Sequence, residues 1–332
     1  MNGDTLVLTA QDVASSLDLR ACVDAIERAL RRHDAGRSLG PTSLGLTPRD
    51  GSFHVKAAGL TVDGRSFIAA KANMNLPANP AARGLPTIQG ALTLFDADTG
   101  APLALMDSIV ITSVRTGAAT AVAARHLAVA DANVVTIIGC GEQGDIQLRS
   151  VAAVRPIRRV WAIDMDRRKA REYAARMSRD LAITVECTED VRFAIDDSDI
   201  CVTCTTSSTP VVTAEDAHPG LFVAAIGADN PRKQELDPQM LAQARVVVDS
   251  LEACAANGEL HHALAAGVMA RDGVHAELSA VVSGRAPGRK SDAEVFVFDS
   301  TGTALFDVAA AVVAYTNART AGRGMPVRLG PR

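Results

Sequence analysis

The sequence predicts an α/β fold in which a doubly wound parallel sheet is accompanied by a second domain of the α+β class. From about residue 133 onward, short apolar segments alternate with amphipathic segments, which is typical of parallel strands buried on both faces. Before residue 117, β-rich segments follow one another between Gly, Pro and Asn, which indicates a mostly antiparallel sheet. An Ala-rich stretch, 117–128, predicts a helix between the two patterns.

The first part of the chain supplies the elements of the α+β domain. Apolar residues at near-helical spacing in 11–34 predict one or two helices. Strands of the antiparallel sheet are predicted at 52–60, 66–72 and 88–95. The run Asp-Ala-Asp-Thr-Gly at 96–100 predicts a turn between two strands, because these residues favour turn conformations.

The parallel sheet is predicted from seven apolar segments further along the chain. They are 133–138, 159–164, 182–186, 199–204, 221–226, 245–249 and 294–298. A last helix is predicted at about 304–319, and we expect it to return to the first domain. The predicted domains are therefore 1–116 with 305–332, and 117–304.

Composition and charge exclude several functional classes. Lys and Arg number 34 and Asp and Glu number 38, and only 3% of residues are aromatic, so we expect no nucleic-acid partner. The sequence has no apolar run of the roughly 18 residues that a membrane span needs, and the N-terminus lacks the layout of a signal peptide. Six cysteines in 332 residues do not form a disulfide scaffold or a metal-ligand cluster, so we expect no metal and a cytoplasmic location.

The most specific motif is Gly-Cys-Gly-Glu-Gln-Gly at 139–144, which follows one predicted strand directly and opens a helix. In this fingerprint the glycines permit a tight turn, close approach of a pyrophosphate and close packing of helix on sheet. The helix N-terminus adds free N–H groups and a partial positive charge. The residues expected to contact a dinucleotide are Gly139, Gly141, Glu142, Gln143 and Gly144.

An acidic residue ends the next predicted strand, at the spacing that the fingerprint requires. Asp164 comes 20 residues after Gly144, where a carboxylate accepts hydrogen bonds from the adenosine ribose hydroxyls and repels a 2′-phosphate. This favours NAD as the cofactor. NADP stays open, because Arg167 and Arg168 are close enough in sequence to bind a phosphate.

Three basic residues in the first part are candidates for substrate chemistry. Lys71 stands at the end of an apolar strand, where burial would lower its pKa and suit it to acid or base catalysis. A lysine with its charged end in water is the alternative. His54 and Lys56 alternate along one strand, so both side chains lie on one face and could bind an anion. A solvated strand face is the alternative there.

Two further candidates flank the predicted parallel sheet. Arg115 precedes the Ala-rich helix, where a guanidinium group suits a substrate carboxylate, with a structural ion pair to Asp96 or Asp107 as the alternative. Asp229 follows an apolar strand at the carboxyl edge of the sheet, where ligands bind in doubly wound folds. A helix cap or turn is the alternative for Asp229.

Taken together, these motifs resemble the ornithine cyclodeaminase/μ-crystallin family of NAD(P)-dependent enzymes. The resemblance covers about residues 40–315 and rests on short motifs in the family's order. They are Lys71, Gly-Leu-Pro-Thr-Ile-Gln-Gly at 84–90, Leu-Phe-Asp-Ala-Asp-Thr-Gly at 94–100, Leu-Met-Asp at 105–107, Ile-Thr at 111–112, Arg-Thr at 115–116, Ile-Gly-Cys-Gly-Glu-Gln at 138–143, Gly-Ala-Asp at 227–229 and Phe-Asp-Ser-Thr-Gly at 298–302.

The resemblance implies a domain for substrate binding and homodimerisation, built from the N-terminal part and the C-terminal helix, with a Rossmann domain between them. By the matching motifs, Lys71 resembles the family's active-site lysine, Arg115 its carboxylate clamp and Asp229 the aspartate that assists ring closure in cyclodeaminases. We also expect contacts with the coenzyme from Thr116, Thr205 and Ser300.

Three positions depart from the family's pattern. Ser43 stands where a Pro-x-Arg stretch is usual, Lys56 and Ala57 replace a common Met-Pro, and His54 replaces a glutamate of the cyclodeaminases. We infer that Lys56 takes over as the second partner of the substrate carboxylate. These changes argue against ornithine as the substrate.

The resemblance implies that hydride moves between a nicotinamide and the Cα of a small L-α-amino acid, through an imine. Three functions compete: an imino-acid reductase or amino-acid dehydrogenase, an ornithine cyclodeaminase that uses NAD catalytically, and a non-enzymatic NAD(P)H-binding protein of the crystallin type. Lys71, Arg115 and Asp229 together favour an enzyme. Asp229 alone favours the cyclodeaminase, whereas His54 and Ser43 favour the oxidoreductase, which we rank first.

Overall fold

The structure is a computed structural model that describes residues 4–329, and these divide into two units. One unit, here called the split unit, comprises Met1–Arg115 and Thr303–Arg332. The other, here called the central unit, comprises Thr116–Gly302. Every helix within residues 4–329 is too short or too polar to cross a membrane. The same residues contain no group of three or more His, Cys, Asp or Glu side chains placed to hold a metal ion.

The elements of both units are numbered in chain order. The strands are β1 (Thr5–Leu8), β2 (Ser38–Leu46), β3 (Ser52–Val62), β4 (Arg65–Asn75), β5 (Ile88–Asp96), β6 (Pro102–Asp107), β7 (Val134–Ile138), β8 (Arg159–Ile163), β9 (Thr184–Cys187), β10 (Ile200–Thr203), β11 (Ser208–Val212), β12 (Phe222–Ala225), β13 (Gln234–Leu236), β14 (Arg245–Val248), β15 (Ala276–Glu277), β16 (Phe296–Asp299) and β17 (Met325–Val327). The α-helices are α1 (Ala10–Ala14), α2 (Leu19–Asp34), α3 (Asn79–Arg83), α4 (Ser108–Leu127), α5 (Glu142–Ala152), α6 (Arg167–Leu181), α7 (Val191–Asp196), α8 (Pro238–Gln243), α9 (Leu251–Asn257), α10 (Glu259–Ala265), α11 (Leu278–Ser283) and α12 (Ala304–Thr320).

The split unit contains a seven-stranded sheet in the order β17-β1-β6-β5-β4-β3-β2. The strands β2 to β6 pair antiparallel with their neighbours, as the sequence predicts, whereas β1 runs parallel to β6. The predicted turn after β5 is confirmed, because the Asp96 carboxylate accepts hydrogen bonds from the backbone N–H groups of Asp98 and Thr99 at 3.1 and 2.9 Å. The sheet thus forms one continuous surface for packing.

The long helix α12 covers one face of this sheet, and the helix α2 packs against α12. The apolar residues Cys22, Ile26 and Leu30 of α2 are buried, and α12 is buried along most of its length. The last helix packs against α2 and against the middle strands β3 and β4, so it belongs to the split unit. Because side chains alternate along a strand, every second residue of β3 and β4 points at α12.

The prediction of where the Ala-rich helix begins was wrong. The predicted helix covers 117–128, but α4 begins at Ser108. The Asp107 carboxylate accepts hydrogen bonds from the N–H groups of Ile109 and Val110 at 3.0 and 2.9 Å, which caps the helix at that point. The β-branched run after Ser108 favours a strand by propensity, and this cap together with tertiary packing overrides that preference. Arg115 therefore lies two turns inside α4 rather than at its start.

The central unit contains an eight-stranded, wholly parallel sheet in the order β15-β14-β16-β12-β10-β7-β8-β9, which confirms the predicted fold class. The strands β10, β12 and β16 are buried along their whole length. The chain moves outward from β7 through β8 and β9, then returns to place β10 and β12 on the other side. This reversal at β7 is a topological switch point, and ligands of doubly wound sheets bind at the carboxyl ends of the strands there.

Candidate functional site

The glycine-rich loop lies at the switch point, between β7 and α5. Gly139 has φ +107°, and a Cβ there would lie 2.8 Å from the carbonyl oxygen of Cys204. A Cβ on Gly144 would lie 2.2 Å from the carbonyl oxygen of Gly139, so α5 packs close to the loop only because residue 144 is glycine. Gly141 caps α5 without a side-chain hydrogen bond, and a Cβ there would contact only Lys169 Nζ, at 3.8 Å. The loop therefore fits a pyrophosphate bound at a helix N-terminus.

Asp164 follows β8 and holds the loop in place. Its carboxylate accepts hydrogen bonds from the N–H groups of Cys140 at 2.9 Å and Asp166 at 3.0 Å, and Lys169 Nζ lies 3.2 Å away. Burial acts to raise the pKa of Asp164, but these hydrogen bonds and the lysine charge hold it below its ordinary value. The carboxylate is therefore charged at neutral pH, as an acceptor for ribose hydroxyl groups must be.

The basic residue beside Asp164 is not one of the two arginines that the sequence offers for a phosphate. Arg167 pairs with Glu189, and Arg168 pairs with Glu172 at 2.8 Å. Lys169, which the sequence analysis did not single out, stands next to both Asp164 and the loop.

The other residues expected at the coenzyme lie on the same unit. Thr205 follows β10, and its N–H donates to Glu235 Oε1 at 2.5 Å. Ser300 follows β16 and is buried, and its hydroxyl donates to Asp249 Oδ2 at 2.9 Å. Thr116 lies within α4 and is buried. In the first turn of α5, Glu142 is exposed and Gln143 is half-buried.

A buried cluster of charges occupies the covered face of the split unit. Lys71 Nζ lies 2.7 Å from Asp307 Oδ1, and Arg115 Nε lies 3.0 Å from the same oxygen. Thr112 accepts a further hydrogen bond from Lys71 Nζ at 3.1 Å. The three charged side chains are only 5%, 7% and 2% exposed, in the order Lys71, Arg115 and Asp307. The elements that bring them together are β4, α4 and α12.

The pKa values in this cluster respond mainly to burial. Burial lowers the pKa of Lys71 to about 7, and the nearby charges of Arg115 and Lys56 act in the same direction, while Asp307 opposes them. Burial acts to raise the pKa of Asp307, but the charges of Lys71 and Arg115 outweigh it and hold the pKa below its ordinary value. The predicted lowering of the Lys71 pKa has a physical basis in this structure, although Lys71 lies in the middle of β4 and not at the end of a strand.

One carboxylate oxygen of Asp307 lacks a hydrogen-bond donor among the described residues. Its Oδ2 atom is buried and accepts no hydrogen bond from the described residues. A buried carboxylate oxygen without a donor is destabilising unless a ligand or a water molecule supplies one. This face of the cluster is therefore suited to a donor such as a substrate N–H group.

The strand register places the other candidate residues beside the cluster. Ser43 pairs with Lys56, and Lys56 pairs with Lys71, so the three side chains form one row across β2, β3 and β4. His54 lies two residues before Lys56 and on the same face, and it is exposed. Lys56 therefore lies between Ser43 and Lys71 in this row.

Asp229 lies in the central unit, in the loop that follows β12. Its carboxylate pairs with Lys233 at 2.8 Å, accepts a hydrogen bond from the Asn230 amide at 3.0 Å, and is 49% exposed. The geometry is consistent with either a turn residue or a reacting group, so its catalytic role stays a prediction.

Comparison with known proteins identifies the family. Residues 3–322 match the Ornithine cyclodeaminase/mu-crystallin family. The chain belongs to this family. Alanine dehydrogenase from Archaeoglobus fulgidus is 36% identical over 326 residues, which cover 98% of each chain.

Solved structures of family members are similar over nearly the whole chain. An archaeal alanine dehydrogenase dimer with bound NAD has a TM-score of 0.94 at 36% identity and covers 98% of this chain and 100% of its own. The Delta(1)-pyrroline-2-carboxylate reductase of Thermococcus litoralis, in complex with NADH and L-proline, has a TM-score of 0.92 at 31% identity and covers 97% and 100%. The resemblance stated from the sequence is thereby confirmed.

Sequence reasoning missed Asp307 in this member of the family. A signal was nevertheless present, because Asp307 is the only charged residue between Ala304 and Ala318 in an otherwise apolar helix. Charged residues are almost never fully buried without a partner, so a lone acid in such a helix predicts a buried ion pair. The partner itself could not be named without the tertiary structure.

Replacing Asp307 by Asn should destabilise the split unit. The change leaves the Lys71 and Arg115 cations buried without a counter-charge, and loss of one partner of a buried pair typically lowers the free energy of unfolding by about 3–5 kcal/mol. Urea unfolding at a pH below 7, where Lys71 is protonated, measures the effect. Glu172→Gln, which breaks only the exposed pair with Arg168, is the control and should change the value by less than about 0.5 kcal/mol. Equal unfolding energies for the two variants would contradict the prediction.

Proposed function

We propose that this protein is an NAD(H)-dependent oxidoreductase that acts at the Cα–N bond of a small L-α-amino acid or of its imino acid. The observation that carries the proposal is the buried cluster of Lys71, Arg115 and Asp307, in a chain that also has a dinucleotide-binding loop. The alanine dehydrogenase and the pyrroline-2-carboxylate reductase to which the chain is similar support the same class of reaction.

The residues of the central unit fit a nicotinamide dinucleotide. The loop 139–144 and the uncapped first turn of α5 would bind its pyrophosphate, and the charged Asp164 would accept hydrogen bonds from its adenosine ribose. When bound, this coenzyme supplies or accepts the hydride at the substrate Cα. NAD is the proposed form, since Asp164 repels a 2′-phosphate, and Lys169 is the residue that would admit NADP.

Arg115 and Lys56 are proposed to bind the substrate carboxylate. Asp307 is a single carboxylate between the two buried basic side chains Lys71 and Arg115, so a substrate carboxylate would give them a second acidic partner. Arg115 contacts Asp307 through Nε, and its terminal Nη groups are proposed to donate hydrogen bonds to the substrate carboxylate. Such a clamp holds the substrate in one orientation, and orientation of this kind lowers the barrier by several kcal/mol.

Lys71 is proposed to exchange the proton at the substrate nitrogen. In the reductive direction its ammonium group donates to the imine, and in the oxidative direction its neutral amine accepts a proton. A pKa of about 7 makes both forms available near neutral pH. Asp307 and Thr112 orient Nζ, so both are positioning residues. Asp229 and His54 are proposed for a second proton or for the substrate side chain.

The proposed reaction is tested by following NADH absorbance. We expect purified protein to oxidise NADH in the presence of cyclic imino acids, or of 2-oxo acids supplied with ammonium. The cyclodeaminase alternative, which Asp229 favours, predicts instead that ornithine is converted to proline with catalytic NAD and no net change in NADH. Proline formation without NADH turnover would reverse the order of the two functions. If neither activity is observed, the result would support a protein that only binds the coenzyme.

The rate should depend on pH in opposite ways for the two directions of the reaction. As pH rises through about 7, Lys71 loses its proton, so kcat/KM for imino-acid reduction should fall while kcat/KM for amino-acid oxidation should rise. Lys71→Arg is the matched control, because its guanidinium stays protonated and this limb of the profile should disappear. A wild-type profile that stays flat through this range would remove Lys71 from proton transfer.

We further propose that the protein is a homodimer formed through the uncovered face of the seven-stranded sheet. The register places Leu39, Leu44 and Leu105 on the face opposite to Lys56 and Lys71. These leucines are 64%, 56% and 40% exposed, which is unusual for large apolar side chains on one sheet face. Large apolar side chains exposed on one sheet face are typical of an interface, and the related archaeal alanine dehydrogenase is a dimer.

The double variant Leu44→Glu with Leu105→Glu should be a monomer. Two carboxylates on the apolar face would be buried without partners in the dimer, whereas in the monomer they lie in water. Light scattering after size-exclusion chromatography gives the mass. Met165→Glu replaces a fully exposed apolar residue of the central unit and should keep the dimer mass. A dimer mass for the double variant would place the interface elsewhere.

The proposed compartment is the cytoplasm. All six cysteines have free thiols, including Cys201 and Cys204, which are spaced as C-x-x-C on and after a buried strand. Free thiols persist in reducing compartments, whereas oxidising ones favour disulfides.

A further inference from the structure

Glu235, on β13, places a buried carboxylate between the two loops that follow β10 and β12. Its Oε1 accepts a hydrogen bond from the Thr205 N–H at 2.5 Å, and its Oε2 accepts one from the Gly227 N–H at 2.7 Å. The Thr203 hydroxyl donates to Oε2 at 2.8 Å. The side chain has no exposed surface. One carboxylate therefore holds two neighbouring loops together at the carboxyl edge of the parallel sheet.

The Gly227 and Thr205 loops approach Glu235 so closely that a side chain at position 227 would not fit. A Cβ on Gly227 would lie 2.5 Å from Glu235 Oε1 and 2.4 Å from the carbonyl oxygen of Thr205, so the two loops meet without space between them. Glu235 is itself held by a second carboxylate. Glu259 accepts hydrogen bonds from the N–H groups of Glu235 at 2.7 Å and Leu236 at 3.0 Å. The position of the Glu235 carboxylate is thus determined from two directions.

The sheet order assigns these loops to one half of a bound dinucleotide. Asp164, at the end of β8, lies on one side of β7, whereas β10 and β12 lie on the other. A dinucleotide lies across the switch point with its adenosine half over the strand that carries the ribose-binding acid. The loops after β10 and β12 are therefore placed for the half that carries the nicotinamide. Asp229 lies two residues after Gly227, on one of these loops.

We propose that Glu235 is a positioning residue, which sets the Thr205 and Gly227 loops to receive the nicotinamide half of the coenzyme. This rests on the proposed NAD(H) dependence. Glu235 need not touch the coenzyme, because it acts through the two backbone N–H groups that it binds. Its acceptor-only carboxylate is essential to that role, since both oxygens face donors.

The substitution Glu235→Gln tests whether the two acceptor oxygens of Glu235 matter or only the volume of its side chain. Gln has nearly the same size, but one carboxylate oxygen becomes an NH₂ group that faces either the Thr205 or the Gly227 N–H. Two donors cannot bond to each other, so one of the loops must move away. The adenosine side of the site, with Asp164 and the loop 139–144, keeps its own hydrogen bonds.

The test uses titration calorimetry to compare the binding of NADH with the binding of AMP. AMP contains the adenosine and one phosphate but lacks the nicotinamide half. Loss of one buried hydrogen bond is worth about 1–1.5 kcal/mol, so Glu235→Gln should weaken NADH binding by about 10-fold. Its Kd for AMP should stay within about 2-fold of wild type, because the adenosine contacts are unchanged. A general loss of structure would weaken the binding of NADH and AMP equally. Either this result or an unchanged Kd for NADH would overturn the proposal.

A matched control and a milder variant complete the experiment. Asp216 is also buried in the central unit and accepts hydrogen bonds from the Thr213 N–H at 2.7 Å and the Thr213 hydroxyl at 2.9 Å. Asp216→Asn should lower the melting temperature without changing the ratio of the NADH and AMP dissociation constants. If Glu235→Gln fails to fold, Thr203→Val serves instead, because it removes one hydrogen-bond donor to Glu235. This variant should weaken NADH binding but not AMP binding. An unchanged ratio of the two dissociation constants in Thr203→Val would overturn the proposal.

The wild-type titration keeps the two proposals distinguishable. Wild-type protein that binds neither NADH nor AMP would refute the proposed coenzyme, and with it the role of Glu235. Wild-type protein that binds both, with a Glu235→Gln variant of unchanged NADH-to-AMP ratio, would refute only the role of Glu235.

Discussion

A single buried carboxylate makes the charged interior of the split unit possible. Asp307 compensates Lys71 and Arg115, and both cations would strongly destabilise the protein without it, because a buried charge that lacks a partner is unfavourable. The need for this buried acid is consistent with the split unit being formed from two separate parts of the chain. The acid is carried by α12, so the last helix has to return to a sheet formed by the first third of the chain. One carboxylate thus faces two basic side chains, and this arrangement is the basis of the proposed site for a substrate carboxylate.

The central unit holds its buried acids in a different way. Glu235, Glu259 and Asp299 accept hydrogen bonds from backbone N–H groups, and within residues 4–329 none of the three forms an ion pair with lysine or arginine. Backbone donors cannot move away as side chains do, so each carboxylate fixes the loop from which the donors come. Burial raises the pKa of Glu259 to about 8 and that of Asp299 to about 7, while the backbone N–H groups that donate to these carboxylates act to lower both values. The split unit thus uses a buried acid to orient two basic side chains, whereas the central unit uses buried acids to hold loops.

The parts of the site that could be predicted from the sequence are those in which short-range chemistry decides the outcome. The loop 139–144 was recognisable because its glycines, the preceding strand and the following helix are contiguous, and Asp164 follows at a regular spacing. Lys71 was recognisable as a charge in an apolar strand. The start of α4 was not, because the β-branched run favours a strand and only the cap at Asp107 and the packing of the helix overrule it. Arg115 was therefore placed wrongly at a helix end, and its role as a partner of the substrate carboxylate stays a prediction.

The sequence by itself determined the fold class, seven of the eight strands of the parallel sheet and the glycine-rich loop, since periodicity and contiguous motifs encode them, and the order of the short motifs indicated the family. Only the tertiary structure decided which charges meet. Lys71 and Asp307 are separated by 236 residues, and the row of Ser43, Lys56 and Lys71 depends on the register of three strands. Ion pairs and buried hydrogen bonds form between residues that folding brings together, and no local pattern in the chain specifies the partner.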